Sequence, residues 1–203
     1  SDFRLKSRLD SSQTKVNVIE VIENSVTTKQ VSVTLPVQNG FIIPSLEQDV
    51  VGLACIERHR GTGQISLGFT KGFHITSGAV ASTVAHDSHN LLVMGTNEED
   101  MAFAANTLAN AGGGMIVVEN GNVLALVAMP IAGLMSDQPL ETVAQEVALL
   151  EEAWKKIGST INAPFMTMSL IALPVIPDIR ISNRGLVDVT KFEIIEVEEV
   201  VSP

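Results

Sequence analysis

Residues 78–94 constrain this chain more than any other stretch. Small and β-branched residues, Gly78-Ala79-Val80-Ala81-Ser82-Thr83-Val84-Ala85, run into His86-Asp87-Ser88-His89-Asn90, and Leu91-Leu92-Val93-Met94 follows at once. Short apolar runs of this kind predict strands buried in a sheet. The pattern is therefore strand, polar junction, strand. A turn made only to reverse the chain uses Gly, Asn or Pro, which supply the needed φ values cheaply. Two imidazoles and a carboxylate at such a junction cost free energy unless they are paired. The plainer alternative is a polar turn in which each histidine is satisfied locally.

The flanking chain supplies more strands and two helices. Residues 1–14 are polar and serine-rich and read as a loose lead-in. Val16 to Ile22 is rich in β-branched residues, and Val31 to Val37 alternates apolar and polar, the mark of a half-buried strand. Asn39-Gly40 and Asn120-Gly121 are tight-turn dipeptides and predict two hairpins. Val50 to Ile56 is an unbroken apolar run that ends in Glu57-Arg58-His59-Arg60-Gly61-Thr62-Gly63, a second place where a strand delivers charged groups. Its plain alternative is a solvated turn with an ion pair. Asn97 as an N-cap, with Glu98, Glu99 and Asp100 behind it, opens a helix near 97–111 that Gly112-Gly113-Gly114 stops. That glycine run is not a phosphate loop, because no Lys-Ser/Thr follows it. Leu140, Val143, Val147, Leu150, Trp154 and Ile157 step by three and four along a second helix near 139–157, capped by Ser136 or Asp137. Pro164 to Pro177 is apolar and broken by prolines, and either a short helix or a strand fits it. Phe192 to Val201 alternates like an edge strand with acidic residues outward. The sum is α+β: one compact domain, residues 1–203, of mixed or antiparallel sheet with two main helices packed on it.

Composition excludes several function classes. The net charge of −10 and the absence of tyrosine argue against a nucleic-acid partner, which needs cations and stacking rings. No apolar run approaches the roughly 20 residues that span a bilayer. The single cysteine, Cys55, leaves no internal disulfide framework, and no basic-then-apolar leader is read, so the expected compartment is the cytoplasm. One cysteine and four scattered histidines make a poor structural zinc site. His86 and His89 could share a metal only with carboxylates such as Asp87 or Glu57 brought near by the fold. Ser88, His86 and Asp87 can be written as a triad, but such triads assemble from separate segments, and adjacency is weak support.

Longer motifs carry more. Ile56-Glu57-Arg58-His59 with Gly61-Thr62-Gly63, Leu67-Gly68-Phe69-Thr70-Lys71-Gly72-Phe73 and the 78–90 stretch resemble blocks of the bacterial adenine deaminases. So do Gly95-Thr96-Asn97 through Asp100-Met101-Ala102, Gly112-Gly113-Gly114, Pro130-Ile131-Ala132-Gly133-Leu134-Met135-Ser136 and Pro164-Phe165-Met166-Thr167. Leu173-Pro174-Val175-Ile176-Pro177 and Arg184-Gly185-Leu186-Val187-Asp188-Val189 complete an ordered match over nearly the whole chain. The resemblance is to the C-terminal part of that family only. It implies a parent amidohydrolase of purine salvage, in which a metal-bearing (β/α)₈ barrel uses manganese or iron to activate water. That water displaces ammonia from adenine and leaves hypoxanthine. The barrel's His-x-His strand has no counterpart in this chain, so no cofactor is expected here and the isolated chain is expected to be inactive. The expected partners are the parent's N-terminal barrel and, in a homo-oligomer, further copies.

Two roles follow. In one, the domain completes the purine site. His86, Asp87, Ser88 and His89 then orient a catalytic group without ligating the metal, and Glu57, Arg58, His59 and Asn90 bind the purine. Both clusters are expected together on the face that meets the barrel. In the other, the domain is a structural or oligomerisation module with no contact to substrate.

Overall fold

The computed structural model describes residues 3–199. A ten-stranded sheet forms from β1 (Leu5–Lys6), β2 (Gln13–Val21), β3 (Thr28–Gln38), β4 (Phe41–Ile42), β5 (Val50–Ile56), β6 (Ile65–Lys71), β7 (Ala79–Ser82), β8 (Leu91–Gly95), β9 (Gly114–Glu119) and β10 (Asn122–Ala128). Their spatial order is β1-β4-β3-β2-β6-β5-β8-β7-β9-β10. Neighbours are antiparallel except β2 and β6, which run parallel at Ile19↔Thr70. The sheet is open and mixed, not a closed barrel. Both Asn-Gly turns stand where expected, with Asn39 and Gly40 at φ 52° and 79° and Asn120 and Gly121 at 51° and 69°. Two positive φ values in succession are what a two-residue hairpin needs.

The pleat sorts side chains onto two faces. Ala79, Ala81, Ile116 and Val118 pack with Met101, Ala104, Ala105 and Leu108 of α1 (Glu98–Asn110). The intervening Val80 and Val117 join the opposite core under α2 (Leu140–Lys156) and α3 (Pro164–Ile171). Asn97 caps α1 by accepting from the Asp100 N–H at 2.8 Å. The helix ends in a Schellman turn, with Gly113 N–H donating to Leu108 O and Gly112 N–H to Ala109 O. A small sheet of β11 (Ile179–Ser182), β12 (Gly185–Asp188) and β13 (Glu193–Ile195) covers β6, where Gly68 leaves room for Leu186. No helix among the described residues is long and apolar enough to cross a membrane.

Several expectations are corrected. The lead-in is fastened: β1 pairs with β4, Ser7 Oγ donates to Glu198 Oε1 (2.7 Å), and the Arg8 N–H donates to Glu198 Oε2 (2.6 Å). Polar composition misled there, because the ties run to a segment some 190 residues away. Pro139, not Ser136 or Asp137, is the N-cap of α2, and no side chain caps it. Leu140 is 79% exposed, so the core stripe begins further along the helix. The ambiguous 164–177 stretch yields α3. In the tail only Glu193–Ile195 form a strand, and Glu198 turns inward, buried beside Ser7 and Arg8; the end of the expected strand, at Val200 and Val201, lies outside the described residues.

Trp154 is fully buried, with Phe73 stacked at 6.0 Å and Phe165 edge-on at 5.1 Å between ring centroids. Trp154→Ala is expected to cost about 3–5 kcal/mol, since the hole cannot collapse between two rings and the sheet. A urea midpoint near wild type would contradict this packing.

Candidate functional site

The sheet register builds the site. β5 pairs with β8 so that Ile56 faces Leu91, and β8 pairs with β7 so that Leu92 faces Ser82. The end of β5, the end of β7 and the start of β8 therefore lie side by side. The loops they carry, residues 57–64 and 83–90, must meet there.

Glu57 shapes the first loop. Its Oε1 accepts from the backbone N–H groups of His59 (2.6 Å) and Arg60 (2.7 Å), and its Oε2 from the Thr62 N–H (3.1 Å) and hydroxyl (2.9 Å). Desolvation raises the carboxyl, but these four donors outweigh it and hold the pKa down at about 2. Arg58 crosses to the second loop. Its Nε donates to His89 O at 2.5 Å and its Nη2 to Ala132 O at 2.9 Å. Gly133 makes this possible: at φ 74°, a Cβ there would lie 2.8 Å from Arg58 Nη1. Gly113 likewise admits the Gly133 backbone, and the buried Thr83 hydroxyl accepts from Gly114 N–H (2.7 Å) and donates to Gly133 O (2.6 Å).

The second loop is pinned from several sides. The His86 N–H donates to Ser169 O of α3 at 3.1 Å, and the His86–Asp87 peptide is cis. His89, at φ 49°, accepts from the Ala85 N–H through Nδ1 at 3.3 Å. Burial, then the neighbouring His86 and Arg58, lowers the His89 pKa. The two half-buried imidazoles meet edge to face at 5.7 Å. Asp87 and Ser88 are exposed. His59 bridges the loops, its Nε2 lying 2.6 Å from Ser88 O.

Beneath them an amide chain crosses to the small sheet. Asn90, 3% exposed, donates through Nδ2 to Ser88 Oγ (3.2 Å) and Asn183 Oδ1 (3.4 Å), and Asn183 donates to Gln64 Oε1 (3.2 Å). Asn90 Oδ1 is buried and has no hydrogen-bond partner among the described residues. Burial pushes the Cys55 thiol up to about 12, with Asn90 only partly offsetting it, so Cys55 is inert as a nucleophile. Above this floor opens a concavity of about 610 Å³, edged by His59, Arg60, Ser88, Asn183 and Arg184. That is ample for a small planar ligand. An apolar cleft under Phe3 and Met101 holds only about 20 Å³.

The fold thus brings Glu57, Arg58, His59, His86, Asp87, Ser88, His89 and Asn90 to one end of the sheet. Glu57 and Arg58 spend their hydrogen bonds on the loops themselves. Ser88 Oγ has Asn90, not an imidazole, as its partner, so a triad is not assembled. No group of three or more His, Cys, Asp or Glu among the described residues could hold a metal ion. Sequence reasoning missed Gln64, Asn183 and Arg184 as lining groups. Arg184 stood in a recognised motif, but nothing in the sequence places it across from Asn90.

Residues 25–193 match the family described as the adenine deaminase C-terminal domain. The chain is similar to an adenine deaminase of Moorella thermoacetica, 50% identical over 195 residues, which are 96% of this chain and 33% of that one. An adenine deaminase of Clostridium botulinum (strain Langeland) is 52% identical over 180 residues, 89% of this chain and 30% of the relative. One from Mesorhizobium japonicum is 44% identical over 197 residues, 97% and 33% respectively. The chain spans about a third of the length of these relatives.

The depressed Glu57 carboxyl predicts a pH signature. Its folded pKa of about 2 lies below the ordinary 4.5, so its contribution is present above pH 4.5 and is lost as pH falls toward 2. Glu57→Gln removes the charged acceptor. The wild-type advantage in urea midpoint over Glu57→Gln is expected to hold from pH 7 to 5 and shrink between about 4.5 and 2. A gap independent of pH would show that the charge is not what holds the loop.

Proposed function

The chain belongs to the adenine deaminase C-terminal domain family, and from that premise we propose that it completes the purine site of a larger deaminase. The whole enzyme adds water to adenine and releases hypoxanthine and ammonia, a step of purine salvage. A divalent metal, manganese or iron, would be held by an N-terminal barrel outside this chain, where it would lower the pKa of the attacking water. The enzyme is cytoplasmic and homo-oligomeric in this reading.

One observation carries the proposal. Two loops from non-adjacent strands are cross-tied, Arg58 to His89 O and His59 to Ser88 O, around an open polar concavity. Core packing alone puts ionisable groups at strand ends, but here they are tied around an open concavity with perturbed groups at its edge instead of being dispersed over the surface. In the proposed arrangement this end of the sheet faces the barrel. Glu57 and Arg58 fix the loop geometry, His59 and Asn90 belong to the wall nearest the purine, and His86, Asp87, Ser88 and His89 orient a group of the barrel or the substrate. None of them ligates the metal.

A second reading, a structural or oligomerisation module, is favoured by the outer face of α2, where Leu140 and Leu149 are 79% and 63% exposed. It places the contact on the opposite side of the domain from α1 and leaves the polar concavity without a role.

Purified 1–203 is expected to release no ammonia from adenine with manganese or iron added. Turnover that scales with protein and disappears with a chelator would overturn the assignment of catalysis to the barrel. In the full-length enzyme, His86→Ala and His89→Asn are expected to lower kcat/KM about ten-fold or more, with metal content and Tm unchanged. Asn suits position 89 because it tolerates the left-handed backbone. Wild-type kinetics with a lowered Tm would move both histidines to a purely structural role.

A further inference from the structure

His59 carries information that its position alone does not. A carbonyl oxygen has no proton to give, so the 2.6 Å contact between His59 Nε2 and Ser88 O requires the imidazole proton to sit on Nε2. Neutral imidazole has only that one N–H. Its Nδ1 is then a lone-pair acceptor, and among the described residues no donor reaches it. The side chain is exposed at the edge of the concavity. The residue is also held at its backbone. The His59 backbone N–H donates to Glu57 Oε1 at 2.6 Å, and Ser88, which holds the ring, belongs to the loop that Arg58 clamps at His89 O. An acceptor fixed in this way is prearranged for an N–H and rejects another lone pair.

The remaining edge has the opposite character. Arg60 and Arg184 are donors only, and no carboxylate within the described residues pairs with either side chain; the lining carboxylate Glu57 is saturated by its own loop. The exposed rim of the concavity therefore sets the oriented His59 acceptor against guanidinium donors, with the Asn90 Oδ1 acceptor buried in the floor below. An aminopurine has the complementary edge: N–H groups beside ring-nitrogen lone pairs.

Resting on the reading that this end of the sheet borders the purine site, we infer that His59 Nδ1 accepts a hydrogen bond from an N–H of the bound purine. His59 is thus a specificity-determining contact, and its tautomer is set by Ser88 O.

Two substitutions in the full-length enzyme separate this role from a merely structural one. Gln places a donor where Nε2 lies, so His59→Gln keeps the tie to Ser88 and loses the acceptor. Asn places an oxygen where Nδ1 lies, so His59→Asn keeps the acceptor and loses the tie. His59→Gln is expected to raise KM for adenine roughly five- to ten-fold, the size of one uncharged hydrogen bond, with kcat little changed. His59→Asn is expected to recover most of that loss. The reverse order, with Gln near wild type and Asn impaired, overturns the inference and makes His59 a strut for Ser88. Equal losses in both at unchanged Tm also overturn it, because the ring itself would then be what matters. If neither variant changes KM, the inference falls, and His86→Ala and His89→Asn tell whether the parent reading falls with it: impaired kinetics there keep the end of the sheet at the purine site, and wild-type kinetics remove both.

Discussion

The central strands β5, β7 and β8 are buried on both faces, and everything polar in the molecule is arranged around that fact. With α1 on one side and α2 and α3 on the other, β7 and β8 have no exposed position at all. A charge in the middle of such a strand would lose its water without gaining a partner, at a cost of several kcal/mol. Ionisable groups are therefore displaced to the strand ends. Because β5 and β8 are neighbours, two such ends coincide, and Glu57 to Arg60 meet His86 to Asn90. The concentration of ionisable groups at one edge is thus a consequence of core packing.

Once gathered, these groups mostly restrain one another. Glu57 organises its own loop, Arg58 clamps the neighbouring one, and Thr83 ties the glycines after α1 to the 130–135 turn. Three glycines serve these close approaches instead of flexibility. Gly113 and Gly133 lie backbone to backbone, and Gly133 leaves space for a guanidinium. Gly114 has no room for a side chain against Val127 O. The result is a stiff frame in which few groups keep free valences, and His59 Nδ1, Arg60 and Arg184 are among them. Preorganisation of this kind is what a site needs when a partner surface must close over a small ligand.

The same frame accounts for what the domain lacks. Its donor atoms are spent on loop geometry, no metal cluster forms among the described residues, and Cys55 is sealed in the sheet with its thiol pushed up to about 12. The relatives it matches are about three times as long as this chain.

Much of this was legible in the sequence. The α+β class, α1 with its Asn97 cap and glycine stop, the body of α2, both Asn-Gly hairpins and the core strand at Val50 all follow from periodicity, capping and turn chemistry, which are local. Family membership was legible too, because ordered motifs survive in the linear chain. Tertiary structure alone decided the rest. The order of strands is a matter of which faces exclude water together, and no local rule says that β5 lies against β8. Hence the meeting of Glu57, Arg58 and His59 with His86 to Asn90, the arrival of Asn183 and Arg184 from the far end of the chain, and the fastening of the polar lead-in to Glu198 could not be read from spacing. Even the tautomer of His59 belongs to this class. The sequence supplies an imidazole, but only the carbonyl that the fold brings to Nε2 determines which nitrogen is left to accept a hydrogen bond.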